Sequence, residues 1–203
     1  MKKKNNNIDN IFESSSNVML DSKKLSRPIE NSVTLITKSI KNGNKIILFG
    51  NGGSATDAQH MAAEFVGRFM KERKSFPAIA LSTDSSIITA IGNDYSFERI
   101  FSRQAESLVK KGDVIIAIST SGNSKNILKG IKTSKNLGAK IISLTGKNGT
   151  KMKLNSDIFL NVPSTVTSRI QEVHRTIIHI ICEIVEKYFL NKKTDADRRS
   201  NKN

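Results

Sequence analysis

The chain has a single cysteine, Cys182, and no tryptophan among its 203 residues. One cysteine cannot form a disulfide within the chain, and the simplest expectation is a protein of the reduced cytoplasm. No apolar run reaches the ~18–20 residues of a membrane span. The basic N-terminus is not followed by the apolar stretch of a secretory signal. We therefore expect a cytoplasmic protein without a membrane partner.

Acidic residues are also scarce, so the formal net charge is +15. Residues 1–27 and 191–203 contribute +3 each, which leaves +9 for residues 28–190. Such a balance raises the question of nucleic acid as a partner. The lysines are spread out, however, and no stripe combines basic with aromatic residues. We therefore expect no nucleic-acid partner and a solvated basic surface, whose field also favours an anionic substrate.

Short apolar runs alternate with helical patterns along the chain. The runs are rich in isoleucine and valine and do not alternate with polar residues, which is typical of strands covered on both faces. They lie at 45–49, 78–81, 114–118, 141–144 and 158–162. Helical spacing is found at 8–21, 27–42, 54–70, 85–91, 97–111, 124–137 and 165–190. This order predicts an α/β fold, in which helices cover a central parallel sheet of about five strands.

The first candidate site is the loop Gly50-Asn51-Gly52-Gly53-Ser54, which follows a predicted strand and opens a helix. It lacks the Lys of a Walker A loop and the Gly-x-Gly-x-x-Gly spacing of a dinucleotide fold. Free backbone N–H groups and a helix N-terminus still make such a turn suitable for an anion. An ordinary strand–helix turn would use glycine as readily.

The second candidate site is Ser119-Thr120-Ser121-Gly122-Asn123-Ser124, at the end of another predicted strand. A helix N-cap explains one hydroxyl here but not four. Hydroxyl donors without a lysine or arginine clamp indicate a phosphate that is held, and not one that is transferred. We therefore expect the chemistry to occur elsewhere on a phosphorylated substrate.

Two helices carry candidates for that chemistry. His60 and Glu64 are four residues apart and share a helix face. The last helix carries Gln171 and His179. A lone histidine on an apolar helix is more often a core residue. Even so, His60, Glu64 and His179 together offer a metal site of two histidines and one carboxylate. Gln171 is eight residues from His179, about 12 Å along the helix axis, so a shared metal ion is difficult to reach.

These motifs resemble the phosphoheptose isomerases, a family of the sugar isomerase (SIS) fold group. The resemblance covers roughly 40–190. It is carried by Asn51-Gly-Gly-Ser, His60-x-x-x-Glu64, Gly92-Asn93-Asp94, Ile100-Phe-Ser-Arg103, Ile118-Ser-Thr-Ser-Gly-Asn-Ser124, Leu144-Thr-Gly-Lys147 and Arg169-Ile-Gln-Glu172 with His179. The Ser-rich loop marks the wider SIS group, whereas the His60/Glu64 and Gln171/His179 combination is specific to the heptose isomerases.

The resemblance implies an aldose–ketose isomerisation through an enediol, with Glu64 as the base and His179 as its partner acid. It implies zinc, held by His60, Glu64, Gln171 and His179, in a structural or polarising role. It also implies a homotetramer and a three-layer SIS domain at 26–190. Extra N-terminal helices begin the chain, with a tail and helix at 1–25 ahead of that domain, and a long C-terminal helix ends it. The polar, charged composition of 191–203 predicts a disordered basic tail. The substrate-binding positions that it implies are Asn51, Gly52, Gly53, Ser54, Glu64, Asn93, Asp94, Ser119, Thr120, Ser121, Ser124 and Gln171.

The chain departs from some members of the family at two places. Ser168 stands where some have aspartate, and Ala55-Thr56 stands where some have His-Cys. Neither change removes a proposed catalytic group. Two alternatives remain open at this stage: a non-catalytic SIS-fold binder of the replication-initiation type, and another phosphosugar isomerase or lyase.

Overall fold

A computed structural model describes the backbone of residues 7–200 and the side chains of residues 7–191. Two helices precede a sheet whose strands are separated by further helices. The helices are α1 Asn7–Asp21, α2 Ser26–Lys41, α3 Gly53–Val66, α4 Ser85–Asp94, α5 Ile100–Leu108, α6 Lys125–Asn136, α7 Thr150–Lys153 and α8 Thr167–Ser200, with 3₁₀ turns at Ser22–Leu25 and Phe97–Arg99. The strands are β1 Ile46–Gly50, β2 Ala78–Ala80, β3 Val114–Ser119, β4 Lys140–Thr145 and β5 Ile158–Asn161.

The five strands form one parallel sheet in the order β2-β1-β3-β4-β5. Every residue of β1 and β3 is buried, because helices cover both faces of the sheet. One apolar core packs α2, α3 and α8 on one face, and a second packs α4, α5 and α6 on the other. The predicted three-layer α/β fold is therefore confirmed, including its all-parallel sheet.

Cys182 lies in the first of these cores with 2% of its surface exposed. Burial raises the pKa of its thiol to about 12, and the nearby Glu64 charge acts in the same direction. Among the described residues, no helix is both long enough and apolar enough to span a bilayer.

The predicted last helix at 165–190 corresponds to α8, whose backbone begins at Thr167 and continues to Ser200. Residues 191–200 are polar except for Ala196 and contain neither glycine nor proline, so none of them is a helix breaker. Residues 201–203 of the predicted tail lie outside the described residues.

Candidate active site

The Gly-rich and Ser-rich loops lie side by side at the carboxyl edge of the sheet. β1 and β3 are neighbours, with Gly50 opposite Ile118, so the loops that follow them emerge together. The crossovers from these strands leave in opposite directions, which is where open α/β sheets bind ligands. Asn51 of the Gly-rich loop and Asn126, in the first turn of α6 after the Ser-rich loop, form reciprocal amide hydrogen bonds of 2.9 Å each. Asn126 has no place among the sequence-predicted site residues.

The Gly-rich loop touches the last helix. A Cβ at Gly53 would lie 2.4 Å from Gln171 Nε2, so a side chain at this position would displace the Gln171 amide. Gln171 therefore lies against the first turn of α3. Ser54, in the same turn, is buried.

The Ser-rich loop is folded by its own hydroxyls. Ser119 Oγ accepts from Gly122 N at 3.2 Å and lies 3.3 Å from Ser124 Oγ. Ser121 Oγ accepts from Asn123 N at 3.3 Å. Ser124 stands at the N-cap of α6 but makes no side-chain cap, so its hydroxyl is not used to terminate the helix. Gly122 has φ +64, a conformation that favours glycine, and its Cα lies against Gly149.

A polar cavity of about 200 Å³ opens beside the Ser-rich loop. Besides Thr120 and Ser121, its lining includes Lys147, Ser164 and Thr167, which sequence reasoning did not assign. Lys147 follows β4, and a residue just after a parallel strand is a candidate for the binding edge of the sheet. The sequence could therefore have identified Lys147 as a site residue. Ser164 comes from the β5–α8 connection and Thr167 begins α8, where the sequence carries no recognisable pattern. A larger cavity of about 820 Å³, lined by Ile40, Phe76 and Phe189 among others, contains none of the predicted site residues.

Helices α3 and α8 run parallel and bring the candidate acid, base and ligands together. His60 Nε2 lies 2.8 Å from His179 Nε2, and 3.6 Å from Glu64 Oε1. The His60 and Glu64 side chains keep 28% and 22% of their surface exposed, so the group is accessible. Burial lowers the pKa of His60, and the positive Arg175 guanidinium lowers it further. A neutral imidazole at position 60 is suited to accept a proton or bind a metal ion.

An ion pair between Asp57 and Arg175, which the sequence did not reveal, also joins α3 to α8. Asp57 Oδ1 accepts from Arg175 Nε at 2.9 Å and lies 2.6 Å from Arg175 Nη2. Asp57 Oδ2 is buried and has no partner among the described residues. Burial raises the pKa of the Asp57 carboxyl, against the opposing effect of Arg175. The Gly53–Gln171, Asp57–Arg175 and His60–His179 contacts thus follow one another along the two helices.

Gln171 and His179 consequently lie at opposite ends of this series. Gln171 is beside the Gly-rich loop, and His179 is two turns further along α8, about 12 Å away along the axis. Asn93 and Asp94 lie at the end of α4, where both are exposed. Their hydrogen bond, 2.9 Å from Asn93 Nδ2 to Asp94 Oδ1, joins them to each other and not to either loop.

The donor set at His60 is chemically suited to zinc. Imidazole nitrogens and a carboxylate oxygen are common zinc ligands. Two nitrogens bound to one tetrahedral ion stand roughly 3.3 Å apart, so the observed 2.8 Å requires the two rings to separate slightly. As they stand, no three His, Cys, Asp or Glu side chains in the described part of the chain form a ready metal site. The donor types therefore fit zinc, whereas their observed spacing would have to change for an ion to bind.

Comparison with known proteins agrees with this geometry. Residues 12–146 match the SIS domain family. The phosphoheptose isomerase of Aquifex aeolicus (strain VF5) is 52% identical over 181 residues, which cover 89% of this chain and 95% of that protein. That of Helicobacter pylori (strain Shi470) is 55% identical over 161 residues, covering 79% and 84%. The structure of phosphoheptose isomerase GmhA from Neisseria gonorrhoeae has a TM-score of 0.84 at 40% identity, covering 89% of this chain and 97% of that one. This chain therefore belongs to the phosphoheptose isomerases, a family of SIS-domain proteins.

Proposed function

We propose that this enzyme interconverts sedoheptulose 7-phosphate and D-glycero-D-manno-heptose 7-phosphate. The observation that carries the proposal is the convergence of His60, Glu64 and His179 on the two helices whose first turns adjoin the phosphate-type loops. The names of the relatives support the same reaction. A non-catalytic binder would have no need for this acid/base group.

The reaction moves one proton from C1 to C2 and a second proton from O1 to O2 within one bound substrate. Glu64 takes the proton from C1 of the ketose, the electron pair forms the C1–C2 double bond of the enediol, and His179 supplies a proton to O2. Glu64 then returns its proton to C2 while His179 takes the proton from O1, which gives the aldose and restores both residues. The Nε2–Nε2 contact supports this role, because one of the two imidazoles must carry the shared proton.

The phosphate serves as a handle in this proposal. The hydroxyls of Ser119, Thr120, Ser121 and Ser124 would hold it, with Lys147 supplying positive charge at the rim. Because the phosphate is bound away from the reacting carbons, it orients the sugar without taking part in the reaction. This orientation lowers the entropic part of the activation barrier to proton transfer.

We propose zinc as the metal, held by His60, Glu64 and His179. When bound, it would polarise the substrate carbonyl as a Lewis acid. Coordination would reduce the basicity of Glu64, so the two roles of that carboxylate compete. Gln171 lies too far from His179 along α8 to share the ion within one chain, so a Gln171 ligand would come from a second copy.

The wider setting is also proposed. We infer a cytoplasmic homotetramer, supported by the apolar residues that α1 exposes. The heptose product would serve a surface glycan such as lipopolysaccharide.

Glu64→Gln is the direct test. It keeps the shape of the side chain but removes the base, so we expect turnover to fall by roughly 10²–10⁴-fold while substrate affinity changes little. A coupled assay of aldose formation, with and without added zinc, measures turnover, and calorimetry measures sugar-phosphate binding.

Glu183→Gln is the matched control, because Glu183 lies one turn beyond His179 and pairs with the exposed Lys187. It should retain wild-type turnover. Wild-type protein that never equilibrates the two heptose phosphates, or Glu64→Gln that retains most of its turnover, would contradict the proposal.

A further inference from the structure

The connection between α3 and β2, residues 67–77, has no regular secondary structure, yet it touches the candidate acid. The ring of Phe69 lies 5.7 Å from the ring of His179, measured between centroids. Glu186, two turns further along α8, holds this connection in place. Its carboxylate accepts from the backbone N–H groups of Phe69, Met70 and Lys71 at 2.9–3.0 Å.

Arg73 completes the arrangement. Its Nε donates to Glu186 Oε1 at 3.2 Å, and its Nη2 donates to the backbone carbonyl of Glu64 at 2.7 Å. Its Nη1 donates to the carbonyls of Phe65, Gly67 and Lys74. One guanidinium thus ties the last turn of α3, which carries the candidate base, to the connection that packs on the candidate acid.

The pair is almost fully buried, with 4% of the Arg73 side chain and 3% of the Glu186 side chain exposed. Burying two charges gives little net stability compared with apolar residues of similar volume. What such a pair can provide is a single conformation, because each remaining donor and acceptor is satisfied by a particular backbone group. Here those backbone groups belong to the segment from Glu64 to Lys74.

We propose that the Arg73–Glu186 pair is a positioning device for the acid/base group. It fixes the backbone of Glu64 and holds Phe69 against His179. This inference rests on the proposed function, since it takes Glu64 and His179 as the residues that move protons. Neither Arg73 nor Glu186 would touch the substrate, so both act through other residues.

Two variants test the proposal. Glu186→Gln keeps the size of the side chain but replaces an acceptor oxygen with an NH₂ group that faces backbone donors. Arg73→Lys keeps the charge but loses the fork that reaches Glu64 and Glu186 together. We expect each to lower kcat roughly ten- to hundredfold, with KM changed by less than about threefold.

Asp113→Asn is the matched control. Asp113 is also a buried carboxylate, 1% exposed in its side chain, and it accepts from Lys45 N, Lys45 Nζ and Lys110 N. It lies at the amino ends of β1 and β3, opposite the site. The Asp113→Asn variant should have a lower melting temperature but an unchanged kcat. This result would separate a loss of stability from a loss of positioning.

A second measurement does not depend on turnover. The chain has three histidines, so their Cε1–H resonances can be assigned by substitution. The ring current of Phe69 acts on His179 because the two rings are in contact. The His179 Cε1–H resonance should therefore shift in both Arg73→Lys and Glu186→Gln but not in Asp113→Asn. His174, which does not contact Phe69, serves as the internal reference.

The outcomes are distinct. Variants that lose stability like Asp113→Asn, while kcat and the His179 resonance stay unchanged, overturn the positioning role. If Glu186→Gln does not fold, Arg73→Lys decides the question alone. Wild-type protein without isomerase activity would refute the proposed function, and the His179 resonance would still show whether the pair holds Phe69 on that ring.

Discussion

His174 precedes His179 by five residues on α8, but it faces the sheet. Its ring is fully buried, with Nε2 3.3 Å from the backbone oxygen of Thr145, and Nδ1 has no partner among the described residues. Burial lowers the pKa of His174 to about 4, and the Thr145 carbonyl opposes the shift only partly. The ring is therefore a neutral core residue, whereas His60 and His179 are part-exposed at the candidate site.

This residue predicts an acid-sensitive fold. Because the folded pKa lies below the unfolded value of about 6.5, the unfolded chain binds the proton first. The stability is fully present above pH 6.5 and is lost as the pH falls toward 4. The expected loss from this one group is about 3 kcal/mol in the free energy of unfolding.

His174→Leu should remove that component of the pH dependence. Urea unfolding at several pH values between 7.5 and 4 measures it, as the difference between wild type and variant. The difference cancels the carboxylates that titrate in both proteins. Equal pH slopes in the two proteins would contradict a neutral His174.

At the scale of elements, the pairing of α3 with α8 builds the site. Asp57 is 4% exposed in its side chain and depends on Arg175, whose side chain is 38% exposed. Arg175→Met would leave a buried carboxylate without its cation. Allowing for the partial exposure of Arg175, we expect a loss of about 2 kcal/mol in the free energy of unfolding near pH 7.

The double variant Asp57→Asn/Arg175→Met should recover more than half of that loss, because it removes the unpaired charge. Lys187→Met is the control on the same helix. It breaks an exposed pair with Glu183 and should cost under about 0.5 kcal/mol. Additive single effects at Asp57 and Arg175 would show that the pair does not couple the helices.

The elements themselves were largely predictable, whereas their mutual placement was not. Apolar runs without alternation gave the buried strands, and a 3.6-residue period gave helices such as α2 and α6. Both loops were identified because each follows a buried strand. The periodicity of α3 and α8 cannot reveal their register, so the sequence could not show that Gln171 contacts Gly53 while His179 contacts His60.

The connection at 67–77 was not predictable for a related reason. It has no period of its own, and its conformation depends on Glu186, which lies 113 residues from Arg73 in the chain. Likewise, Asp57 and Arg175 read as ordinary charged positions on helices. Only tertiary packing makes them partners.

At the scale of the whole molecule, α1 stands out because it has no buried residue. It is attached to α8 by Ser15 Oγ, which donates to Glu172, and by Arg169, which donates to the Ile11 carbonyl. Ile8, Ile11, Phe12 and Leu20 nevertheless remain 48–71% exposed.

An exposed apolar stripe on a 15-residue helix is typical of a surface that another chain covers. We expect the partner to be a second copy of this chain. Helix α1 is attached to α8 at Arg169 and Glu172, which are close in sequence to Gln171, the residue proposed to act as a ligand between copies.

The double variant Ile8→Glu/Phe12→Glu should therefore dissociate the assembly. Two carboxylates would be buried without partners in a closed interface, and this cost opposes association. We expect the wild-type mass by light scattering to be about four times the 22.4 kDa of one chain, and that of the variant to be smaller.

Turnover of the dissociated variant should also be lower than that of the wild type, since a Gln171 ligand from a second copy would be lost. Thr34→Glu adds a carboxylate to the polar face of α2, where Thr34 is exposed, and should change neither quantity. A variant that becomes smaller but retains full turnover would show that each chain carries a complete site, with Gln171 acting only at the Gly-rich loop of its own chain.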